Sequence, residues 1–462
     1  MALEFGVDWY PEQWDESRWD DDARRMAAFG IRIARVMEFA WALVEPEPGR
    51  YEFGLFDRAL DTLERHGIKA VIGTPTATFP PRLVDEFPDL LQVHPSGLKR
   101  DYGTRRAGCF NHSGYREAST RLAAAIGDHY GKDRRVAGYQ VDNELGHEGS
   151  DRCVCDNCRA AWRRWLEAKY RTPAAMVAAW GAVFWGAAYE RFDQVPVPRD
   201  QVSSHHNPGL LLDYDRFCSD SAVAFADAQV SALRARVAPE QWITTNLYPP
   251  PLSNAIDHRA LVASMDFASW DNYPIWGPQA APLPWQATAG MLAHVRGLKG
   301  GKPFTVMEQF AGMQGHVALG RLPDDRQAAL WTVQAIARGA DRIVWFRWRT
   351  APYGQEQLCL GLHDADDRET SRGATLRATA ARAKAELDGI ASARVPAEAC
   401  VAFRKDDARV LREQYLSEGL VLRETPWMQA GFDMEFARAF APFTTFGVGA
   451  EVLAAETLDA ET

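Results

Sequence analysis

Eight short β-rich runs recur along the chain, separated by stretches whose apolar residues fall at helical spacing. The runs are Phe5–Trp9, Ile31–Val36, Ala70–Thr74, Val136–Asp142, Trp242–Leu247, Met265–Trp270, Phe304–Glu308 and Ile343–Trp348. Helical periodicity is carried by Asp57–His66, Tyr115–Tyr130, Trp285–Leu298, Arg326–Arg338 and Ala374–Ile390. Strand then helix, repeated, demands a parallel sheet with right-handed crossovers. An open doubly wound sheet would satisfy this too, but no Gly-x-Gly-x-x-Gly follows the first run, where such a fold often holds a nucleotide. The expected fold is therefore α/β, a (β/α)8 TIM barrel.

A barrel with insertions takes up most of 462 residues. Residues 1–392 are assigned to a catalytic barrel, with a long insertion at 145–240 after the fourth strand. From residue 393 the character changes: Ala399–Phe403, Met434–Phe440 and Ala450–Leu453 read as strands of a second α/β domain. The stretch 393–462 is too short to bury a complete α/β layer, so that domain is expected to be partial.

Apolar residues at 47% and charged residues at 25% support a large core. A net charge of -10 argues against nucleic acid and anionic membrane as partners. The 16 Trp suit a carbohydrate ligand, because a flat indole packs against the C–H face of a sugar ring. No basic stretch followed by a long apolar run opens the chain, and no run of about twenty apolar residues interrupts it, so a soluble cytoplasmic protein is expected.

The ends of the strand runs concentrate chemistry: Asp8-Trp9-Tyr10, Glu38, Asn143-Glu144, Asn246, Asp271-Asn272-Tyr273, Glu308-Gln309 and Arg347-Trp348. A single Glu at a strand end is more often half of an ion pair or a solvated rim residue than a catalyst. Two of them, Glu144 after the fourth strand and Glu308 after the seventh, can face one another across a closed barrel. Such a pair is what glycosidic hydrolysis needs, Glu308 as nucleophile and Glu144 as acid/base. Asn143 can hold the sugar 2-hydroxyl. The rival pair Asp142 and Asp271 ranks lower, since strand alternation turns Asp142 away from the side of Asn143. A retaining mechanism requires a carboxyl separation of about 5 to 5.5 Å, and inversion roughly 6.5 to 9.5 Å. The charge of Glu308 is expected to raise the pKa of Glu144 and keep it protonated.

Seven Cys, an odd number, suit a reducing compartment better than a disulfide framework. Cys153-x-Cys155-x-x-Cys158, with Cys109 upstream, has the donor types and spacing of a structural zinc site. Reduced thiols in a loop are the alternative. Such a zinc would be closed to substrate and would organise loops rather than perform chemistry.

Gly6-Val7-Asp8-Trp9-Tyr10-Pro11-Glu12-Gln13-Trp14, Asp142-Asn143-Glu144 and Met307-Glu308-Gln309 together closely resemble glycoside hydrolase family 42, the bacterial barrel β-galactosidases, over roughly residues 3 to 390. The resemblance implies Glu144 as acid/base and Glu308 as nucleophile, with Asn143 and Arg105 holding galactose, Arg106 being the neighbouring candidate. It also implies Tyr273 beside the nucleophile, Glu356 on sugar hydroxyls, and zinc on Cys109, Cys153, Cys155 and Cys158. Trp185 resembles an aromatic that reaches into a neighbouring subunit's pocket. His316 stands where the family has a Trp against the sugar, and Cys359 where a sugar-binding His is expected, so both are expected to alter the pocket. The implied activity is removal of terminal β-D-galactose from small β-galactosides with retention. The alternatives are the same chemistry on α-L-arabinopyranosides, and a truncated carbohydrate-binding or inactive barrel. A homotrimer is implied by resemblance, but the chain stops within the domain that would build it.

Overall fold

The computed structural model describes residues 2–201, 206–316, 318–390, 393–415 and 431–458. Its strands are β1 (Glu4–Asp8), β2 (Ile33–Val36), β3 (Lys69–Gly73), β4 (Val136–Gln140), β5 in two pieces (Trp242–Thr244 and Asn246–Leu247), β6 (Ser269–Asn272), β7 (Phe304–Phe310) and β8 (Ala340–Phe346). Every pairing among them is parallel, and β1 pairs with both β2 and β8. The first piece of β5 pairs with β4 and the second with β6, so this one strand closes the ring. Thr245, between the pieces, donates its hydroxyl to Val141 O at 2.7 Å and accepts at its own carbonyl from Ser269 Oγ at 2.7 Å. Side-chain hydrogen bonds thus replace the ladder where it is interrupted.

Outside the ring lie α1 (Trp19–Phe29), α2 (Gly54–Arg65), α3 (Ser113–Tyr130), α4 (Pro208–Arg234), the single turn α5 (His258–Leu261), α6 (Trp285–Gly297), α7 (Asp325–Ala337) and α8 (Ser371–Leu387). All seven residues of β7 and of β8 are buried, as a strand covered on both faces requires. The run expected at Met265–Trp270 begins later, at Ser269. Asp266 is occupied before the strand starts: its carboxylate accepts from Ile243 N at 2.7 Å and from Arg234.

The segment after β4 is partly insertion and partly barrel. Asn207 caps α4 by accepting from Gly209 N and Leu210 N, with Pro208 at the first helical position. The N-terminal half of α4 packs Leu210, Tyr214 and Phe217 into a satellite core with Trp162 and Trp180. Its C-terminal half packs Phe225, Val230 and Leu233 into the main core. The stretch 145–240 therefore contains the barrel's own fourth helix.

Residues Ala399–Phe403 (β9) and Ala450–Ala454 (β10) form a parallel pair. The run Met434–Phe440, expected as a strand, lies in a helix, Gly431–Thr445. Phe436 and Phe440 explain the difference: four apart, they share one helical face and pack with Ala289 and Ala293 of α6. The expected domain boundary at 392 lies outside the described residues.

Candidate active site

Glu308 sits inside β7 rather than at its end, and the strand is bulged there. Trp270 and Asp271 of β6 pair with Val306 and Glu308, so Met307 is the extra residue on that side. A bulge re-aims the side chains that follow it. Glu308 Oε1 accepts from Arg35 Nη2 at 2.7 Å and from Asn246 Nδ2 at 3.3 Å, while Oε2 accepts from the Tyr273 phenol at 2.6 Å.

Glu144 lies four residues past β4, on a turn where Asp142 and Glu144 both take positive φ, 56° and 48°. Such conformations cost non-glycine residues about 1–3 kcal/mol each and persist only where surroundings over-determine them. Here Asn143 N donates to Asp142 Oδ1 at 2.7 Å, Glu144 N donates to Asn246 Oδ1 at 2.9 Å, and Asp142 is tied to Thr76. Asp142 is thus held away from the pair. Asn143 Oδ1 accepts from Asn246 Nδ2 at 2.8 Å. Asn246, at the second piece of β5, therefore touches Asn143, Glu144, Asp271 and Glu308.

An oxygen from each of Glu144, Asp271 and Glu308 lies within 4.8 Å of the other two. A narrow cavity opens beside them, lined by Glu38, Phe39, Arg105, Glu144, Tyr273, Trp276, Glu308, His316, Phe346 and Glu356. Beneath it, the buried guanidinium of Arg35 holds Asp8 at 2.7 Å and Glu38 at 2.8 Å besides Glu308. Gly73 lets β3 approach this cluster, since a Cβ there would meet Glu38 Cβ at 2.6 Å. One cation among three buried carboxylates cannot offset their desolvation: burial lifts Glu38 to about 7, raises Asp8 well above the ordinary range and raises Glu308.

Glu144 departs from expectation. Burial pushes its pKa up, but the charges of His147, Arg106 and Arg105 outweigh burial and the carboxyl is held well below the ordinary range. The expected lift by Glu308 is overridden because Glu144 Oε2 is enclosed by two arginines, Arg106 and Arg105 at 3.6 Å, with His147 Nδ1 beside it at 3.3 Å. Glu148 shares both arginines, at 3.1 Å from Arg105 and 2.9 Å from Arg106, and against burial they bring it to about 2.

The remaining sequence candidates divide. Arg105 lines the cavity, reaching Glu356 at 3.7 Å, whereas Arg106 is buried against Glu144 and the Asn143 carbonyl. Glu356 also pairs with Arg347 at 3.1 Å. His316 is in the cavity wall, edge-on to Trp276 at 5.2 Å. Cys359 is not part of that wall; fully buried, its thiol donates to Gly315 O at 3.4 Å and burial pushes it up to about 12. Trp185 is 78% exposed, stacked on Phe184. Sequence reasoning did not single out Arg35, His147, Glu148 or Trp276 as site residues. Trp276 follows Tyr273-Pro274 closely enough to have been a candidate; the others become visible only through their contacts.

Cys109, Cys153, Cys155 and Cys158 are all buried, with their sulfurs within 4.8 Å of one another. A tetrahedral ion with metal–sulfur bonds of about 2.3 Å needs sulfurs roughly 3.8 Å apart, so the donor set fits a four-thiolate metal ion. The Cys109 and Cys155 sulfurs are 3.4 Å apart. Tyr214 braces the cluster by donating to Cys153 O at 2.6 Å, and Asn111 donates to the Cys158 sulfur.

Two buried carboxylates meeting above the fourth and seventh strands of a closed parallel barrel define the class: this is the architecture of barrel glycoside hydrolases. The chain belongs to glycoside hydrolase family 42, whose model, described as beta-galactosidase, matches residues 8–386. It is 44% identical over 373 residues to the beta-galactosidase BgaA of a Thermus species, covering 78% of this chain and 57% of that one. It is 37% identical over 396 residues to BgaH of Haloferax lucentense, covering 83% and 59%. Its structure is similar to that of the beta-galactosidase of Halorubrum lacusprofundi, with a TM-score of 0.90 at 32% identity over 99% of this chain and 67% of that one. The chain thus spans about three-fifths of the length of these curated relatives. Among the described residues no helix is long and apolar enough to cross a membrane.

Proposed function

We propose that the chain is a retaining, exo-acting glycosidase that removes terminal β-D-galactose from small β-galactosides. The observation that carries this reading is the approach of a Glu144 oxygen to a Glu308 oxygen within 4.8 Å, in the wall of a narrow cavity. Oxygens this close suit direct attack and proton transfer at one glycosidic bond, as a retaining pair requires. The lining residues enclose one small pocket rather than a long groove, which suits a chain end.

Glu308, held by Arg35, Tyr273 and Asn246, attacks the anomeric carbon, and Glu144 protonates the departing oxygen. Water activated by Glu144 then releases the sugar with retention. Asn143, fixed by Asn246 through its carbonyl, has its amide N–H available for the sugar 2-hydroxyl. Arg105 and Glu356 take other hydroxyls, and Trp276 with His316 forms an aromatic wall. Zinc is the ion that suits four thiolates, and it would tie the loops after β3 and β4 together without entering the chemistry.

The test is to assay nitrophenyl β-galactoside and nitrophenyl α-L-arabinopyranoside side by side, following product anomeric configuration by NMR. Galactoside turnover with retention is expected, lost in Glu308→Ala and partly restored there by azide. Faster turnover of the arabinoside would shift the substrate reading. Turnover of neither by folded protein would leave the reading of a carbohydrate-binding or inactive barrel.

A further inference from the structure

We propose that His147 is the positioning residue that supplies the acid proton of Glu144, the two side chains together holding the one proton that the reaction needs. This rests on Glu144 being the acid/base of a retaining glycosidase. Two arginines on the same carboxylate create a difficulty for that role: Arg106 contacts Glu144 Oε2 and Arg105 lies 3.6 Å from it, so the site favours an ionised Glu144. A general acid must carry a proton at the working pH.

His147 is placed to carry it. Nδ1 lies 3.3 Å from Glu144 Oε2, and the side chain is 32% exposed, so one edge meets the carboxylate while the group keeps access to solvent. The ring is fixed in two ways. It stacks on Tyr248 at 4.4 Å with 27° between planes, and its turn is pinned by His147 N to Glu144 O at 3.0 Å and by Ser150 Oγ to His147 O at 2.7 Å. Gly146 permits this packing, because a Cβ there would lie 3.1 Å from the Tyr248 hydroxyl and 2.3 Å from Ile256. Other charged groups surround the pair: Arg105 and Arg106 come from the loop after β3, Glu148 shares those arginines, and Glu308 and Asp271 face Glu144 from β7 and β6. Across the cavity, His316 faces Glu148 at 3.8 Å and Glu356 faces Arg105. Of these groups, His147 is the imidazole that touches the acid itself.

The proton count balances. The pair starts as imidazolium and carboxylate. As the bond from the anomeric carbon to the glycosidic oxygen breaks and the bond to Glu308 forms, the Nδ1 proton passes to Glu144 and one proton passes from Glu144 to the leaving oxygen. Neutral His147 and ionised Glu144 remain. In the second half, Glu144 takes a proton from the attacking water and returns it to His147. Apparent pKa values of such a pair belong to both members.

The experiment compares wild type with His147→Gln, and with His147→Asn should the first melt early. Without His147 the proton must sit on a carboxyl still held by two arginines. The alkaline limb of kcat/KM for an alkyl β-galactoside should therefore move to lower pH, costing about tenfold or more at a pH on that limb. A dinitrophenyl galactoside, whose leaving group needs no proton, should lose less than about threefold. Carbon-13 NMR of labelled glutamate carboxyls, with Glu144 assigned by Glu144→Gln, should show Glu144 titrating at higher pH in His147→Gln than in wild type. An unchanged limb, equal losses on both substrates or an unchanged Glu144 titration would overturn the proposal. Should wild type turn over no galactoside, the hydrolase reading falls, and the carboxyl titration still decides whether the two groups share a proton.

Discussion

The Tyr273 phenol donates to Glu308 Oε2 at 2.6 Å, opposite the Arg35 guanidinium that holds Oε1 at 2.7 Å. Both donors favour the ionised carboxylate against burial, which pushes Glu308 up. Losing the phenol in Tyr273→Phe should raise the Glu308 pKa further. Because the attack proposed for Glu308 needs the carboxylate, the acid limb of kcat/KM should shift to higher pH. A hydrogen bond to a charged group is worth about 1.5–3 kcal/mol, or roughly ten- to hundredfold in rate. A pH profile of the variant that superimposes on that of wild type would remove Tyr273 from the support of Glu308.

His316 and Cys359, both marked by the sequence as altering the sugar pocket, part company in the structure. His316 forms cavity wall against Trp276, whereas Cys359 is buried beneath the Gly315 carbonyl. His316→Ala should raise KM several-fold. Cys359→Ala should leave kcat/KM within about twofold while costing on the order of 1 kcal/mol of stability through lost packing. Steady-state kinetics and urea unfolding on the two variants separate these outcomes. A large KM effect at Cys359 would mean that its thiol reaches substrate.

The four-cysteine cluster brings Cys109, in the loop after β3, beside the turn and helix start at Cys153, Cys155 and Cys158. Elemental analysis should find about one zinc per chain, and exhaustive chelation should lower Tm by on the order of 5 °C or more. Turnover by the protein that stays folded should keep its pH dependence, because a closed site supplies no reacting group. Complete metal removal with unchanged melting would show that the thiols stand without an ion.

The barrel was legible because its eight strands are short apolar runs that must be buried on both faces, and Glu308 and Asn143-Glu144 because polar residues at their ends break the run. The bulge at Met307, which aims Glu308, leaves no mark in composition; it is a matter of register between three strands. Arg35 reads as one polar residue in a strand, and its role comes from Asp8, Glu38 and Glu308 converging on it from β1, the end of β2 and β7. The low pKa of Glu144 was likewise hidden. Arg105, Arg106 and His147 lie on two loops whose approach is set by tertiary packing, not by spacing along the chain. Met434–Phe440 was misread because a short apolar run fits either period, and only the Phe436–Phe440 contact with α6 decides between them.

Lys405 marks the junction between barrel and the β9–β10 unit. Buried there, it donates to Leu252 O at 2.8 Å and Asn254 Oδ1 at 3.3 Å. Burial, then the charge of Arg409, push its pKa down to about 7. The unfolded chain keeps a lysine near about 10.4, so between those values the unfolded state binds the extra proton and stability rises with pH. Relative to Lys405→Gln, wild type should gain up to about 1.4 kcal/mol per pH unit as pH climbs from about 7 to about 9. Urea unfolding of both proteins at three pH values in that range measures the difference directly. Parallel stability curves would show that Lys405 titrates as an exposed lysine does and that the junction admits water.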